Sequence, residues 1–352
     1  PATSLLKETG SGTIVAGTKK VIDLTNEDFI KKSVDYKLII GNNPMIEFAK
    51  DLDYLVRYPY GCSEQTISAA FPQLYFADIS KTMYNDISQA NDIRNNINAA
   101  ITKLKMRQAY NGGIGMWNGS SNYSWWISAY AAHFAIEAKK AGYSIDQSFI
   151  DNSLSYLKNR LKSKETKNYY YGSGQSRYIA PRSVAYSLYV LALAGKSDAS
   201  LMNYYKSKPE LLSEDAKYLL SAAFALSGDK PKAKELLPVA FKNENPQKQF
   251  GGSFYSPLRD EAIALNALLE IDPQNDQVPV MAMHISKNLK ENRYMNTQER
   301  IFSLLALGKI SKKINKSTIA ATVSSGGKKI TNYSKGVLKL STKDIVDAKV
   351  SL

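Results

Sequence analysis

One cysteine occurs in 352 residues, and it stands in the stretch RYPYGCSEQT, Arg57 to Thr66. Its thiolate is a nucleophile. Three residues on is Gln65, a carboxamide whose carbonyl carbon is an electrophile. Residues three apart share a helix face, so on a helix Cys62 and Gln65 touch. Attack of the sulfur on that carbon with loss of ammonia leaves an internal thioester. Composition by itself keeps a second reading open, in which Cys62 is a small buried hydrophobe without chemistry. A lone cysteine forms no internal disulfide. With only His133 and His284 to join it, it offers no zinc-ligand spacing, so neither metal nor cofactor is expected.

The element that must present this pair is a helix. CSEQTISAAF carries Ile67 and Phe71, with Leu74 beyond, on one stripe. Gly61 suits the N-cap, which would put Glu64 at N3, where a carboxylate reaches back to an unpaired amide in a capping box. Cys62 then lies in the first turn, where free amides and the helix dipole favour a thiolate. Pro72 is expected to kink the helix or end its first part.

From about residue 43 to 311 the pattern is almost wholly helical. Twelve segments carry apolar residues at three- and four-residue spacing: 44–57, 62–79, 86–108, 124–141, 146–163, 181–195, 198–206, 213–227, 230–243, 257–270, 277–291 and 297–311. The joints, such as GNNP, SGDKP and IDPQND, are rich in helix-stop residues. Twelve helices in short-loop pairs predict an α/α toroid of six inner and six outer helices. An α-solenoid competes, but no fixed-period repeat is visible. Both ends differ: GTIVAGTKKVIDL and DYKLII near the start, and residues 317–341 and DAKVSL near the finish, have strand character. The expected division is therefore 1–42 and 313–352 as strands of one small β unit, with the toroid over 43–312. Two glycine-aromatic loops, QAYNGGIGMWNG (Gln108 to Gly119) and QKQFGGSFYS (Gln247 to Ser256), read either as turns whose aromatic plugs the toroid or as the rim of a site at one end.

Composition narrows the class. Hydrophobic residues make up 44% of the chain, which supports a large core and argues against disorder. A formal charge of +14 favours anionic partners. The lysines are scattered singly and in pairs without a nucleic-acid motif, so a solvated basic surface is the reading and no nucleic-acid partner is expected. The longest apolar run, Ser183 to Gly195, is too short to span a bilayer, so no direct membrane insertion is expected. A chain opening on Pro1 with no visible signal peptide reads as a piece of something longer.

The stretch YPYGCSEQT resembles the thioester motif of the alpha-2-macroglobulin and complement superfamily, Gly-Cys-x-Glu-Gln, and Tyr-Pro-Tyr is similar to its bacterial branch. The resemblance continues through Gly112 to Ile145 and through YMNTQERIFSLLALGKI, Tyr294 to Ile310. It implies a toroid inserted into a CUB-like β domain. It assigns Cys62 as sulfur donor and Gln65 as acyl donor, with Gly61 and Glu64 as supporting motif residues. Ser63 stands where vertebrate members commonly have Gly. The family shields the bond with aromatic side chains until proteolysis of a bait region, and Tyr58 and Trp117 match the shielding positions. The implied function is a single-use covalent protease inhibitor rather than an enzyme, flanked by macroglobulin-like β domains, in a bacterial periplasm or envelope. Some complement members use a downstream histidine for transfer to hydroxyls. The matching segment here, Lys167 to Ser183, has tyrosines and none, so capture through amines of the target protease's lysines is expected. His133 reads as a packed imidazole.

Two alternatives stay beside this. Trp125-Trp126, Tyr169 to Tyr171 and Tyr178 are carbohydrate platforms if the toroid is a glycan-active enzyme; for a terpene cyclase, DLDY (Asp51 to Tyr54) is a poor acidic cluster. The other is a non-covalent interaction module whose thioester never forms.

Overall fold

The computed structural model describes residues 14, 17–24, 34–41, 61–75, 87–171, 174–244, 254, 256–292, 294–314, 320–334, 337–345 and 349–352. The expected helix over 44–57, the DLDY stretch, Tyr58 and most of the loop from 247 to 256 lie outside them. The chain divides into two units. One comprises Leu52–Ala77 with Ala90–Ile310; the other comprises Pro1–Asp51, Asp78–Gln89 and Ser311–Leu352.

The first unit is an α/α toroid. Among the described residues its helices are α1 (Ser63–Ala70), α2 (Ile87–Met106), α3 (Trp125–Lys140), α4 (Gln147–Leu161), α5 (Arg182–Leu193), α6 (Ala199–Lys206), α7 (Glu214–Leu226), α8 (Lys230–Leu236), α9 (Pro257–Ile271), α10 (Gln277–Glu291) and α11 (Thr297–Ile314). Burial alternates along this series. Helices α3, α5, α7 and α9 are buried almost all round, the mark of helices enclosed by others. Helix α2 shows the complementary pattern: among its described side chains it buries only the stripe Ile93, Ile97, Ala100, Ile101 and Leu104. Odd-numbered helices form the inner wall and even-numbered ones the outer.

Capping chemistry sets the boundaries. Ser124, Asp198, Asp229 and Ser256 each accept a first-turn amide through their side chains, as N-caps do. At the end of α3, Gly142 at φ 90° lets the Tyr143 amide fold back on the Ala138 carbonyl at 3.0 Å. Two expected helices are shorter than their patterns. Helix α1 ends at Ala70, two residues before Pro72. The pattern over 230–243 yields only α8, because Leu237 precedes Pro238 and takes an extended ψ of 123°. Between α4 and α5 the chain makes an antiparallel hairpin, β3 (Lys167–Tyr170) with β4 (Ser176–Ile179), which the sequence pattern did not announce. Where the inner helices meet, aromatic rings pack: Trp126 on Tyr186 at 4.7 Å, Tyr130 on Phe302 at 5.4 Å and Phe71 on Tyr130 at 5.8 Å between centroids.

The second unit draws strands from both ends of the chain. Strand β1 (Val21–Asp23) pairs antiparallel with β8 (Lys349–Ser351), Ile22 opposite Val350. Strand β2 (Lys37–Gly41) pairs with β7 (Val337–Ser341), Ile39 opposite Lys339. Strands β5 (Ala321–Ser325) and β6 (Lys328–Tyr333) form a hairpin closed by Gly326-Gly327. The four-stranded sheet runs β1-β8-β5-β6. Val323, Tyr333, Leu340, Ile345 and Val350 make the core of this unit. Among the described residues no helix is long and apolar enough to cross a membrane.

Candidate functional site

The N-cap of α1 is Cys62 rather than Gly61, with φ −67° and ψ 174°. That one-residue difference moves Gln65 to N3 and gives it the capping role expected of Glu64. The Cys62 amide donates to Gln65 Oε1 at 3.2 Å. Gly61 is required for a different reason than capping. A Cβ there would lie 2.1 Å from Gln65 Oε1 and 2.9 Å from its carboxamide carbon. Glycine thus makes room for the glutamine side chain to fold back against the cysteine. The arrangement folds the carboxamide back over the Cys62 backbone, and it aims an amide donor at the carbonyl oxygen that would carry charge if the acyl carbon were attacked.

The glycine-aromatic loop holds this turn from outside. The Ser63 amide donates to the Met116 carbonyl at 2.9 Å, and Ser63 Oγ donates to the Gly115 carbonyl at 2.6 Å. Gly112 allows the loop to lie on α4: a Cβ would stand 1.9 Å from the Asn152 carbonyl oxygen. Arg107, just ahead of the loop, reaches 46 residues back to donate to the Gly61 carbonyl at 3.0 Å. Its other arms meet Ser63 Oγ at 3.4 Å, Thr66 Oγ1 at 3.3 Å and Asn118 Oδ1 at 3.2 Å.

Glu64 faces the interior of the toroid and lines the same cavity as Cys62 and Gln65. It is 3% exposed and accepts from Ser68 Oγ at 2.8 Å, Gln298 Nε2 at 3.0 Å and Thr297 Oγ1 at 3.3 Å. Gln298 also accepts from the Trp126 indole at 3.3 Å. Glu64 therefore ties the reactive turn to α11 and, through Gln298, to α3. Sequence reasoning missed both this tie and Arg107, because neither partner set is local. The signal on offer for Arg107 was faint: an arginine directly before a glycine-rich loop.

Cys62 and Gln65 line a cavity of about 1380 Å³ within the helical unit. Met116 brings the glycine loop to its wall. Tyr123 precedes α3, Trp125 and Trp126 open it, Tyr169 comes from the β3–β4 hairpin, and Phe254 from the second glycine-aromatic loop. Phe254 has a φ of 53°, an unfavourable region for a bulky residue and one often kept at functional sites. The described parts of both glycine loops thus rim one end of the toroid. Trp117 itself does not plug it. The ring is 57% exposed and lies 5.9 Å from the Arg107 guanidinium, because the turn at Trp117-Asn118 carries it outward while its neighbour Met116 lines the cavity. Tyr58 is outside the described residues.

Of the histidines, His133 is buried, with Nδ1 2.9 Å from the Tyr186 hydroxyl. Burial holds its pKa well below the usual value, with Lys309 adding to the shift. It is a packed neutral imidazole. His284 sits on α10 against Glu261. Neither lines the cavity. Trp125 and Trp126 are buried, with indole N–H groups donating to Ser187 and Gln298. Tyr170 and Tyr178 are exposed. Among the described residues no group of three His, Cys, Asp or Glu is placed to hold a metal.

An inner-and-outer ring of helices with a Gly-Cys-Ser-Glu-Gln turn at one end defines a class, and residues 34–169 match the family model of the A-macroglobulin TED domain. In this the chain is similar to bacterial alpha-2-macroglobulins. It is 25% identical over 301 residues to the alpha-2-macroglobulin of Xylella fastidiosa, covering 83% of this chain and 18% of that protein. To the Escherichia coli alpha-2-macroglobulin it is 25% identical over 279 residues, covering 78% and 17%. The fold superposes on Salmonella alpha-2-macroglobulin reacted with methylamine with a TM-score of 0.69 and 22% identity, over 97% of this chain and 23% of that one. The chain thus spans less than a fifth of the length of these two curated relatives.

Proposed function

We propose that Cys62 and Gln65 join as an internal thioester and that the chain is the covalent-capture domain of a protease-trapping alpha-2-macroglobulin. The observation that carries this is the Cys62 amide donating to Gln65 Oε1 at 3.2 Å across the space Gly61 leaves empty. Formation expels the Gln65 nitrogen as ammonia and leaves its acyl carbon bonded to Cys62 Sγ. In the full protein, cleavage of a bait segment by the target protease uncovers the bond, a lysine amine of the protease attacks, and one molecule is used once. Aromatic shielding at Tyr58 and Trp117 belongs to this reading; with Trp117 exposed in this chain, its cover must come from a rearranged loop or a neighbouring macroglobulin-like domain. A CUB-like identity for the β unit and a periplasmic or envelope setting belong to it as well. The Salmonella protein reacted with methylamine is the fold neighbour whose chemistry this reading extends here.

Intact-mass measurement of the native protein tests the proposal. The expected result is a mass lower by one ammonia, with Cys62 inert to alkylation until methylamine adds its own mass and frees one thiol. An unshifted mass in the full-length protein, with Cys62 alkylated at once, removes the reading. Challenge of the activated protein with methylamine and glycerol then sets the acceptor: amide formation is expected to dominate, and preferential ester formation would contradict amine capture.

A further inference from the structure

The cavity wall carries the reacting pair, but the most informative charge beside it lies behind the turn. Arg107 is tied to residues on both sides of Cys62: to Gly61 through its carbonyl at 3.0 Å, and to Ser63 and Thr66 through their hydroxyls at 3.4 and 3.3 Å. Its Nε is held by Asn118 at 3.2 Å, and the Trp117 ring lies 5.9 Å from it. A cation at a helix N-terminus opposes the dipole, whose positive end is already there. The guanidinium fastens loop to turn through four acceptors, more than the two donors of a neutral amide could serve, and it brings a fixed charge with those bonds. What a fixed guanidinium adds is a field at the one atom between its anchors that becomes negative. Partial burial lowers the Arg107 pKa, with Cys62 acting in the opposite sense.

We propose that Arg107 is a positioning residue that holds positive charge against Cys62 and stabilises the sulfur as it leaves. The inference rests on the thioester reading above for the step it serves. In that step a neutral primary amine adds to the Gln65 acyl carbon and the carbon–sulfur bond breaks, its electron pair going to Cys62 Sγ. The nitrogen gives its proton to water, and the products are a substituted amide and a thiolate. The Gln65 backbone amide, which faces the Cys62 side chain at the N-cap, and the Arg107 guanidinium then serve that thiolate together.

Charge-selective alkylation tests the idea. The native chain and the variants Arg107→Gln and Arg107→Lys are opened with methylamine, and Cys62 is alkylated with anionic iodoacetate and, in parallel, with neutral iodoacetamide. A cation beside the sulfur draws in the anionic reagent, so the iodoacetate-to-iodoacetamide rate ratio is expected to fall about tenfold in Arg107→Gln and to be largely restored in Arg107→Lys. A fastening role moves both rates together and leaves the ratio alone; an unchanged ratio in Arg107→Gln overturns the proposal. If Arg107→Gln does not fold, the same ratio in the native chain before and after unfolding in urea decides: it must drop on unfolding, and constancy overturns the idea. Should no ammonia-deficient mass be found, Cys62 is a free thiol from the start and the ratios are measured directly. Failure of the thioester and failure of the Arg107 role are thereby separate results.

Discussion

Glu64 is buried among donors that carry no charge, the side chains of Ser68, Thr297 and Gln298. Asp215 and Asp260, elsewhere in the same helical unit, are buried against guanidiniums. Arg182 pairs with Asp215, with Asp260 at 2.7 Å and with Glu244 at 3.9 Å; Arg259 meets Asp260 at 2.7 Å and Asp215 at 3.8 Å and lies over the Trp126 ring at 4.6 Å. This second cluster links α5, α7 and α9, the middle of the inner wall. Its ions are out of water, so each depends on the others. The Glu64 group instead orients one turn and leaves Cys62 and Gln65 half-buried on the cavity wall. One assembly fastens helices; the other holds reactants in register while keeping them reachable.

The largest effect expected from breaking this contrast is at Arg182. Arg182→Ala strands buried carboxylates and is expected to cost about 3–5 kcal/mol of folding stability. Cys62→Ala, in the other region, is expected to cost less than about 1.5 kcal/mol while abolishing ammonia loss. Urea melts read the first quantity and intact mass the second; equal losses of stability would erase the distinction. Next in size is Gly61→Ala. Its Cβ meets the Gln65 carboxamide at 2.1 Å, so overpacking of about 1–3 kcal/mol is expected, together with loss of the ammonia-deficient species. A variant that keeps that species shows that the turn relaxes, and that the space at Gly61 is not what aligns the pair. Glu64→Gln comes third. An amide nitrogen must then face one of three donors, for about 1–2 kcal/mol, and amine-driven opening is expected to slow as α1 loosens from α11. Stopped-flow thiol release with methylamine measures it.

Local relations were legible in the sequence and distant ones were not. The Cys62–Gln65 relation needs only a helix and a spacing of three, and the helical segments announced themselves by apolar residues at three- and four-residue spacing, as at Trp126, Tyr130 and Phe134. Glu64 was misread because its partners, Thr297 and Gln298, are more than 230 residues away. Which residue of the first glycine loop lines the cavity was not legible, because a glycine-rich turn does not reveal which neighbour faces inward; Met116 does. The β3–β4 hairpin stayed hidden because its four-residue strands are too short for a period, and their alternation is blurred by adjacent tyrosines. The pairing of strands from the two ends was anticipated from their β-branched character, but the register, such as Ile22 opposite Val350, depends on packing around Val323 and Tyr333 that no local pattern encodes.

The smallest effect is a pH dependence, and it sets the two kinds of burial against each other most finely. His133 is neutral and buried, its pKa held well below the ordinary 6.5 by burial. The unfolded chain therefore binds a proton there that the folded chain refuses, so this contribution to stability is complete above about pH 6.5 and is lost as pH falls below it, by at most about 1.4 kcal/mol per unit. Asp260 runs the opposite way. Burial pushes its carboxyl up to about 6 against the pull of Arg182 and Arg259. Here the folded chain takes up the proton first, so the cost of burying this charge is relieved as pH falls through about 6. Urea melts of the native chain, His133→Asn and Asp260→Asn at about pH 7, 6 and 5 separate the terms. The stability difference between native and His133→Asn is expected to move against the native chain as pH falls, and that between native and Asp260→Asn to move toward it. Two differences that move in the same direction would mean that the guanidiniums, rather than burial, govern Asp260. The charge cluster would then be a set of fully ionised pairs, closer in kind to surface ion pairs than to the desolvated assembly that the contrast with Glu64 requires.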